Sequence, residues 1–282
     1  MPELPELQAL CEALTDEVSG RRVESAVAVH PAVLRTAEPP LTALEGAALT
    51  AVNRRGKLLL VQSDRGVSLV VHLMSAGRMG LRDVERARGR QTLLRLELED
   101  GRALALRELG TKRRASAHLL DDEALGEHPP LARLGPEPIG LEADEWRRAL
   151  EHPRARLHTA LRDGRRVAGI GRCYASEIMW AARLAPFTMT TGLSDDGWTR
   201  LASAADAVLG QAVARAREIG GVDMPQREKR TTAVHGHAGE PCLRCGAELA
   251  RVSFAEYELV YCPDCQNDGR RYADRRFSRL TR

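Results

Sequence analysis

The sequence predicts an α+β multidomain protein: an N-terminal β-sandwich behind a leading helix, then a helical domain, then a C-terminal β-hairpin. Three observations carry this prediction. Short apolar runs broken by turn residues fill positions 22–118, and helical periodicity replaces them from position 142. Two pairs of cysteines enclose a hairpin-like stretch near the end. At 282 residues the chain is long enough for more than one domain, each with its own core.

The leading helix is predicted by one apolar stripe in the opening MPELPELQAL and the residues after it. The stripe recurs at i, i+3 and i+4 spacing, which is the period of a helix that buries one face. Its members are Leu7, Leu10, Cys11, Leu14 and Val18.

The first residues of this opening allow two interpretations. Proline and an acid in a first turn favour helix initiation, and Pro5 and Glu6 already supply both. Pro2 and Glu3 are then surplus to the helix. Methionine before proline is normally trimmed, which would leave Pro2 as a secondary amine. An α-amino group titrates at about pH 8, so a fraction of it is a neutral nucleophile at pH 7.

The β-sandwich is predicted by five strand-like runs and the turns between them. SDRG and EDG lie between alternating segments and predict two β-hairpins. Several antiparallel strands at this spacing are typical of a β-sandwich, which we expect over residues 1–120. The five runs are RVESAVAVH, KLLLVQSDRG, VSLVVHLM, TLLRLELEDG and RALALREL.

Residues 121–140 are rich in proline and glycine and predict a linker. Three short helical patterns follow, the third ending before Pro186. A long fourth pattern has Ser194 as its N-cap and the Gly220–Gly221 pair as its stop. We expect a helical domain over 141–234, followed by a C-terminal segment over 235–282.

The cysteine spacing in the C-terminal segment predicts one structural zinc site. Cys242, Cys245, Cys262 and Cys265 form two C-x2-C pairs separated by sixteen residues, a spacing that fits tetrahedral thiolate ligation. VSF and ELVY can form hairpin arms, with a turn near Ala255–Glu256. Disulfides are less favoured in an intracellular chain. Such a site is closed, so by itself it does not indicate catalysis.

The other two cysteines, Cys11 and Cys173, lie on predicted helices. A free cysteine in such a place usually behaves as a small buried apolar residue, and we expect that role for both.

The positive charge is unevenly distributed although the net charge is only +3. Segments 110–118, 147–172 and 269–282 are all basic. Clustered arginine is typical of a surface that binds a polyanion, and the alternative is a solvated face in an arginine-rich chain. The chain has no stretch of eighteen apolar residues and no basic leader before an apolar run. We therefore expect an intracellular protein with no membrane partner.

Lysine is rare, since 39 of the 42 basic residues are arginine. The three lysines are Lys57, Lys112 and Lys229. An ammonium is a compact point charge, so a surviving lysine is a candidate for a task that arginine cannot perform. Lys57 directly precedes a strand-like run, where a side chain can be aimed well.

The segment RRVAGIGRCYASEI places Gly169 and Gly171 between two predicted helices. Glycines there expose backbone N–H groups at a helix N-terminus and predict a phosphate site. An ordinary helix–helix turn is the alternative, and the flanking Arg165, Arg166 and Arg172 favour phosphate.

These pieces, in this order, resemble the formamidopyrimidine-DNA glycosylase/endonuclease VIII family. The resemblance spans essentially the whole chain, and it implies a β-sandwich domain, a helix-two-turns-helix domain and a zinc finger, with double-stranded DNA bound between them. The opening and the helical turn are specific together, whereas the four-cysteine pattern alone is not. The matching landmarks are MPELPE, GKLLL, VHLMSAGR, LARLGPEPI, VAGIGRCYASEI, GEPCLRC and CPDCQ.

The resemblance also implies catalytic roles at the N-terminus. In this family the proline exposed by methionine removal attacks C1′ of a damaged nucleotide, which here would be Pro2. Glu3 would handle protons on the sugar ring, Lys57 would hold a phosphate, and Glu6 would line the pocket as a further acid. A secondary amine forms an iminium with the opened sugar, and that electron sink permits β-elimination. The damaged base must first be flipped out of the stack.

The DNA-binding residues implied by the resemblance depart from the family pattern in three places. The void-filling segment usually reads HLGMSG, whereas here it reads HLMSAG, so Met74 stands near the expected methionine. The wedge that usually reads RRF appears as Arg107-Glu108-Leu109. The loop before the finger, 222–234, is short against members that cap an oxidised purine there.

The predicted phosphate grip is also altered. Gly169 and Gly171 match the family turn, but Arg172 stands where asparagine is usual. Tyr257 stands where the finger hairpin usually has an arginine. We expect the phosphate clamp to have moved from the finger to the helical turn, with Tyr257 offering only a hydroxyl and a ring face.

The resemblance therefore implies a bifunctional DNA glycosylase and abasic-site lyase acting on oxidised or otherwise modified bases in duplex DNA. It implies one structural zinc and a monomer in the bacterial cytoplasm, at the nucleoid. The altered grip keeps an alternative open, a DNA-binding protein of the same fold without productive base excision. A generic zinc-ribbon factor would leave the first six residues unexplained.

Overall fold

The computed structural model describes residues 1–226, 230–254 and 257–273. The chain divides into two compact units. The first combines Met1–Arg133 with Val213–Lys229, and the second combines Leu134–Ala212 with Arg230–Arg282. The domain boundaries expected at 120, 140 and 234 stay predictions, because compactness alone groups the finger with the helical segment.

The first unit is a β-sandwich of two four-stranded antiparallel sheets. One sheet has the strand order β1-β6-β7-β5 and the other β2-β3-β4-β8. Apolar residues of both sheets and of the leading helix bury one another in a single core. The strands are β1 Val23–Val27, β2 Leu49–Arg55, β3 Leu58–Ser63, β4 Val67–His72, β5 Gly77–Asp83, β6 Thr92–Leu98, β7 Arg102–Glu108 and β8 Ser116–Asp121.

All five predicted strand runs are strands, and SDRG and EDG connect antiparallel neighbours, β3 with β4 and β6 with β7. Three strands were missed. β2 and β5 carry several arginines or glycines, and β8 follows the basic run TKRRA. Pairing with neighbouring strands stabilises these three strands, and local sequence propensity does not include that contribution.

Helix α1 spans Leu4–Val18, and all five residues of its predicted stripe are buried. Glu3 is its N-cap in a capping box, and the Glu6 carboxylate accepts the Glu3 N–H at 2.8 Å. The expectation that Glu3 is surplus to the helix was wrong, since the two acids satisfy each other's backbone N–H groups.

The second segment of the first unit adds to the edge of β5. Leu81 N–H donates to Val222 O at 2.7 Å, and Met224 N–H donates to Met79 O at 3.2 Å. A Cβ on Gly80 would lie 2.6 Å from the Asp223 Cα, so only glycine permits this close approach.

The second unit is helical up to its C-terminal hairpin. A core that includes the buried Trp146 and Trp198 joins its helices. The short α2 Val84–Ala87 and α3 Pro129–Ala132 belong to the first unit, and the boundary between units falls within α7. The remaining helices are α4 Ala143–Leu150, α5 Leu157–Leu161, α6 Arg172–Ala181, α7 Asp195–Ile219 and α8 Pro263–Asn267.

Two of three predicted helix signals are confirmed. Ser194 Oγ accepts the Gly197 N–H at 3.1 Å at the start of α7, and the Gly220–Gly221 pair ends it with positive φ angles. Pro186 does not end α6, as was expected. The helix ends at Ala181, because Arg183 is left-handed (φ +55°) and Leu184 N–H turns back to Met179 O.

The C-terminal hairpin consists of β9 Ala250–Ser253 and β10 Glu258–Tyr261, as the VSF and ELVY arms predict. The expected turn at Ala255–Glu256 lies outside the described residues. Within the described ranges, none of the helices combines the length and the apolar character needed to span a membrane.

Candidate functional site

The residues at the N-terminus are held in place by the cap of α1. Pro2 and Glu3 are both buried, whereas Met1 is 46% exposed. The reciprocal bonds between Glu3 and Glu6 fix the backbone directly after Pro2. Glu6 therefore acts on the backbone of the first turn, a role that the expectation of a further pocket acid did not include.

Lys57 lies in the tight turn between β2 and β3 and is half-buried. Helix α1 is tied to β2 because Thr15 Oγ1 donates to Val52 O and Gln8 Oε1 accepts from Arg54 Nε at 2.8 Å. These contacts run toward the start of α1 and toward the C-terminal end of β2. The start of the helix and the Lys57 turn therefore lie at the same end of this strand.

His72 pairs with Leu58, the residue after Lys57, across β3 and β4. Burial lowers the pKa of His72 below its usual value, and the positive charge of Lys57 lowers it further. The imidazole is consequently neutral at pH 7.

The turn between β4 and β5 holds Met74 in a left-handed conformation with φ +52°. Gly77 N–H closes the turn by donating to Leu73 O at 2.8 Å. Met74 thus takes the backbone conformation that glycine, the residue of the resembled pattern at this place, adopts without strain. Met74 is half-buried, and Ser75 is the exposed residue of the turn. A void-filling role for Met74 stays a prediction.

Arg107, predicted as part of the DNA wedge, is buried in this structure. Its guanidinium is buried on β7 and pairs with the Asp223 carboxylate, which also accepts from Arg82 Nε at 2.8 Å. Burial lowers the pKa of Arg107, and the charge of Asp223 opposes that shift. Arg107 as a DNA contact stays a prediction, and in this structure its charge is paired with a carboxylate far along the chain.

Arg78 completes this group, which we name the Asp223 cluster (Arg78, Arg82, Arg107 and Asp223). Arg78 is buried, and its guanidinium donates to the carbonyl oxygens of residues 225 and 226, each at 2.8 Å. The segment 222–226 is thereby pinned to the sandwich by side chains as well as by backbone bonds.

The glycine turn of the second unit places Gly171 as N-cap of α6, with Gly169 at φ +85°. Of the flanking arginines, Arg166 donates to Leu150 O at 2.7 Å, and Arg165 pairs with an aspartate. These two have structural partners. Arg172 is the first residue of α6 and lies within the cluster described next.

Tyr257 lies at the centre of a group that we name the Tyr257 cluster (His158, Arg162, Arg172, Phe254 and Tyr257). The Cζ atoms of Arg162 and Arg172 lie 4.4 and 4.5 Å from the Tyr257 ring centroid. The Phe254 ring stacks on Tyr257 with centroids 4.5 Å apart and planes at 12°. The His158 ring stacks at 5.8 Å.

His158 contributes no charge to this cluster. Burial lowers the pKa of His158 to about 3, and the charges of Arg162 and Arg172 act in the same direction. Sequence reasoning missed both His158 and Arg162. The basic segment 147–172 was the available signal, but it does not distinguish one arginine from another.

The four predicted zinc ligands come together. The Sγ atoms of Cys242, Cys245, Cys262 and Cys265 all lie within 4.8 Å of one another. Tetrahedral zinc with Zn–S bonds of about 2.3 Å places its sulfurs about 3.8 Å apart. The Cys242–Cys265 and Cys245–Cys262 sulfur distances are 3.9 and 3.4 Å. The site fits one structural zinc ion.

Side chains around the zinc site tie it to the helical core. Trp180 Nε1 donates to Cys242 Sγ at 3.4 Å, and the Arg244 guanidinium lies 4.1 Å from the Trp180 ring. Contacts from residues outside the ligand set orient the metal ligands and restrict their movement. The two other cysteines are buried as predicted, and burial raises the pKa of the Cys11 thiol to about 12.

Three family models match successive parts of the chain. Residues 1–114 match the formamidopyrimidine-DNA glycosylase N-terminal domain, and residues 134–222 match the formamidopyrimidine-DNA glycosylase H2TH domain. Residues 239–267 match the zinc finger found in FPG and IleRS.

Known proteins of similar sequence and structure agree with these models. The formamidopyrimidine-DNA glycosylases of Desulfitobacterium hafniense and Geobacter sulfurreducens are 30% and 33% identical over 275 residues. Each match covers 94% of this chain and all of the relative. A solved structure of Lactococcus lactis Fpg bound to DNA with an oxidized pyrimidine has a TM-score of 0.83 and 25% identity, covering 94% of this chain and all of that one.

Proposed function

Because this chain belongs to the formamidopyrimidine-DNA glycosylase family, we propose that it is a base excision repair glycosylase that removes damaged bases from duplex DNA and then cleaves the abasic site. The observation that carries the proposal is the N-terminus. Pro2 directly precedes a buried, capped helix start, while Met1 is exposed and accessible for removal.

The proposed chemistry uses the Pro2 secondary amine as nucleophile. Its lone pair bonds to C1′ of the flipped nucleotide, the base leaves with the electrons of the glycosidic bond, and the proton lost by the attacking amine passes to the departing base. Glu3 protonates O4′ as the sugar ring opens, which leaves an iminium between C1′ and Pro2. Loss of a C2′ proton then expels the 3′ phosphate, and water releases the sugar and restores the amine.

Two features of the first unit support this assignment. The reciprocal Glu3–Glu6 cap fixes the backbone that carries the nucleophile, so little conformational freedom is lost on attack. Lys57, at the same end of β2, supplies a compact positive charge for a phosphate of the target nucleotide. The zinc site belongs to the second unit and has four thiolate ligands from the chain, so no step passes through the metal.

Borohydride trapping on duplexes that carry different lesions tests the proposal. We expect the wild-type chain, with Met1 absent by intact mass, to form a covalent DNA adduct. Pro2→Gly should reduce trapping at least about a hundredfold, because loss of an activated nucleophile has effects of this size or larger. Glu3→Gln should impair base release.

Pro5→Ala is the matched control, since it changes the other proline of the opening and leaves the terminal amine in place. It should trap like the wild type. Full trapping by protein that retains Met1 would disprove the mechanism.

A second candidate is a DNA-binding protein of this fold without productive base excision. Two observations favour it: the exposed residue of the β4–β5 turn is Ser75, and Tyr257 stands in place of a charged side chain. The same assay separates the candidates. Tight duplex binding with no adduct and no base release across the panel would support the second.

A further inference from the structure

We propose that the loop between β7 and β8 is a polyanion-binding surface that contacts the phosphate backbone of duplex DNA through Lys112, Arg113 and Arg114. We name residues 110–114 the basic loop. Glu108 is then a positioning residue that fixes the basic loop and does not itself touch the DNA. The choice of DNA as the polyanion rests on the proposed function, whereas the surface itself rests on the observations that follow.

The charge of the basic loop is not balanced within the protein. Lys112, Arg113 and Arg114 are consecutive and exposed. Among the residues that the structure describes, no carboxylate forms an ion pair with any of the three. Other arginines at the surface of the sandwich differ, since Arg88 and Arg102 each pair with two carboxylates. Three like charges side by side repel one another, and a bound polyanion relieves that repulsion.

The basic loop is held at both ends. At its start, Leu109 N–H donates to Ala76 O, in the β4–β5 turn, at 3.1 Å. At its end, the carboxylate of Glu108, a residue only 5% exposed, accepts the N–H groups of Arg114 and Ala115 at 2.8 and 3.0 Å. The backbone that carries the three cations is therefore ordered before any ligand binds, which lowers the entropy cost of binding.

The position of the basic loop identifies the part of the duplex that it meets. A Cβ on Gly110 would lie 3.1 Å from the Ala76 Cβ, so the loop packs directly against the β4–β5 turn. That turn carries Met74, the residue predicted to fill the void beside a flipped base. A groove of B-DNA is about 6–12 Å wide, so a loop packed against an inserted turn lies over the backbone that flanks the groove.

The chemistry of the basic loop favours a polymer over a small anion. Successive side chains of an extended segment point to different sides of the chain, so one phosphate or carboxylate does not reach all three cations. A DNA strand presents one negative charge about every 3.4 Å along the helix axis and pairs with each of them. Residues 109–118 contain no acid that would repel a strand laid along the loop.

The test measures binding of a fluorescent duplex, undamaged or carrying a tetrahydrofuran abasic analogue, as a function of salt concentration. Lys112→Gln, Arg113→Gln and Arg114→Gln should each lower the salt slope by about one unit for both duplexes. The triple variant should lower the slope by about two to three units and weaken binding at least about tenfold at about 0.1 M salt.

A matched control removes three arginines from the other end of the same strands. Arg86, Arg88 and Arg90 lie in α2 or just after it, and α2 follows the last residue of β5. The seven residues of β5, about 20 Å in length, separate them from the β4–β5 turn. The triple variant Arg86→Gln, Arg88→Gln, Arg90→Gln has the same net charge as the basic-loop triple variant and should keep the salt slope of the wild type.

Glu108 variants separate positioning from a merely structural role. Removal of a negative charge beside the basic loop would, by charge alone, strengthen DNA binding. Glu108→Ala also removes the acceptor of the two N–H groups, and we expect it to weaken binding of both duplexes about threefold because the loop must then be ordered on binding. Glu108→Gln keeps an acceptor oxygen and should bind at least as tightly as the wild type.

Equal affinities of Glu108→Ala and Glu108→Gln would overturn the positioning role. The exposed loop variants test the surface even where Glu108→Ala does not fold. If the wild type binds and traps DNA while the basic-loop triple variant has the slope of its control, the surface is wrong and the proposed function stands. If both triple variants lower the slope equally, the effect belongs to net charge and the basic loop is not a contact. If the wild type binds neither duplex, the proposed function fails, and the choice of DNA fails with it.

Discussion

The Asp223 cluster and the Tyr257 cluster both gather arginines, but they differ in what balances the charge. In the first, a carboxylate and backbone carbonyls take up the guanidinium donors, and the Arg107 side chain is 7% exposed. In the second, the face of an aromatic ring holds two guanidinium groups. The first arrangement neutralises a buried charge, and the second stacks two like charges on one neutral ring.

The comparison shows that the role of an arginine is set by its partner and not by its position in a basic run. Arg107, a predicted DNA contact, pairs with the Asp223 carboxylate inside the first unit. Arg162 was one of many arginines in the segment 147–172 and is the one that shares a ring with Arg172.

We expect the largest effect on DNA binding from removing the zinc, because the hairpin that carries Tyr257 also carries a zinc ligand. Cys262 directly follows β10, the strand that begins next to Tyr257, so Cys262→Ser should abolish stoichiometric zinc and DNA binding together. Elemental analysis and duplex titration measure both. Cys11→Ala, a buried cysteine outside the site, should keep both. Freshly purified wild type without stoichiometric zinc would contradict this prediction.

The next effect should come from the Asp223 cluster. Asp223→Ala leaves the buried Arg107 charge without its carboxylate, and we expect a loss of about 3 kcal/mol in the free energy of unfolding. This is the low end of the range for a broken buried pair, because Asp223 is itself 31% exposed. The salt slope of DNA binding should not change.

Urea unfolding of Asp196→Ala provides the control for that measurement. This carboxylate forms an exposed pair with Arg200 at 3.0 Å, and its removal should cost less than about 0.5 kcal/mol. Equal losses in the two variants would show that the buried pair does not stabilise the sandwich.

The smallest effect is a pH dependence located in the Tyr257 cluster. The folded pKa of His158 is about 3, below its unfolded value of about 6.5. Between these two values the unfolded chain binds the extra proton, so stability is complete above pH 6.5 and falls as the pH decreases toward 3. The loss is at most about 1.4 kcal/mol per pH unit.

His158→Phe keeps a stacked ring without a titratable group and should remove this part of the slope between pH 6.5 and 5. His152→Phe, whose side chain is 80% exposed, is the control and should keep it. Identical pH profiles for wild type and His158→Phe would overturn the assignment.

The sequence predicts those parts of the molecule in which a local pattern has a single physical solution. The apolar stripe of α1 can be buried in only one way, and four cysteines at C-x2-C spacing bring their own ligand geometry. Strands β2 and β5 escaped prediction because their arginines and glycines are accommodated by partners, as Gly80 is by the approach of Asp223.

The two arginine clusters could not be predicted, because their members are far apart in the sequence. Arg107 and Asp223 are 116 positions apart, and nothing near Arg107 in sequence indicates a carboxylate partner. The Tyr257 cluster joins α5, the start of α6 and the finger hairpin, so it exists only after the second unit has folded. The capping box at Glu3 could have been predicted from the sequence, because an acid three positions after the N-cap is its ordinary signature.

The discontinuity of the first unit has a consequence for how the chain is made. When strand β7 leaves the ribosome, Asp223, the carboxylate partner of Arg107, has yet to be synthesised. At about 5–20 residues per second, those 116 positions correspond to roughly ten seconds of translation. For that time Arg107 lacks its Asp223 partner, and β5 lacks the backbone bonds to residues 222 and 224. Residues 222–226, which belong to the first unit, are therefore synthesised only after almost the whole helical segment.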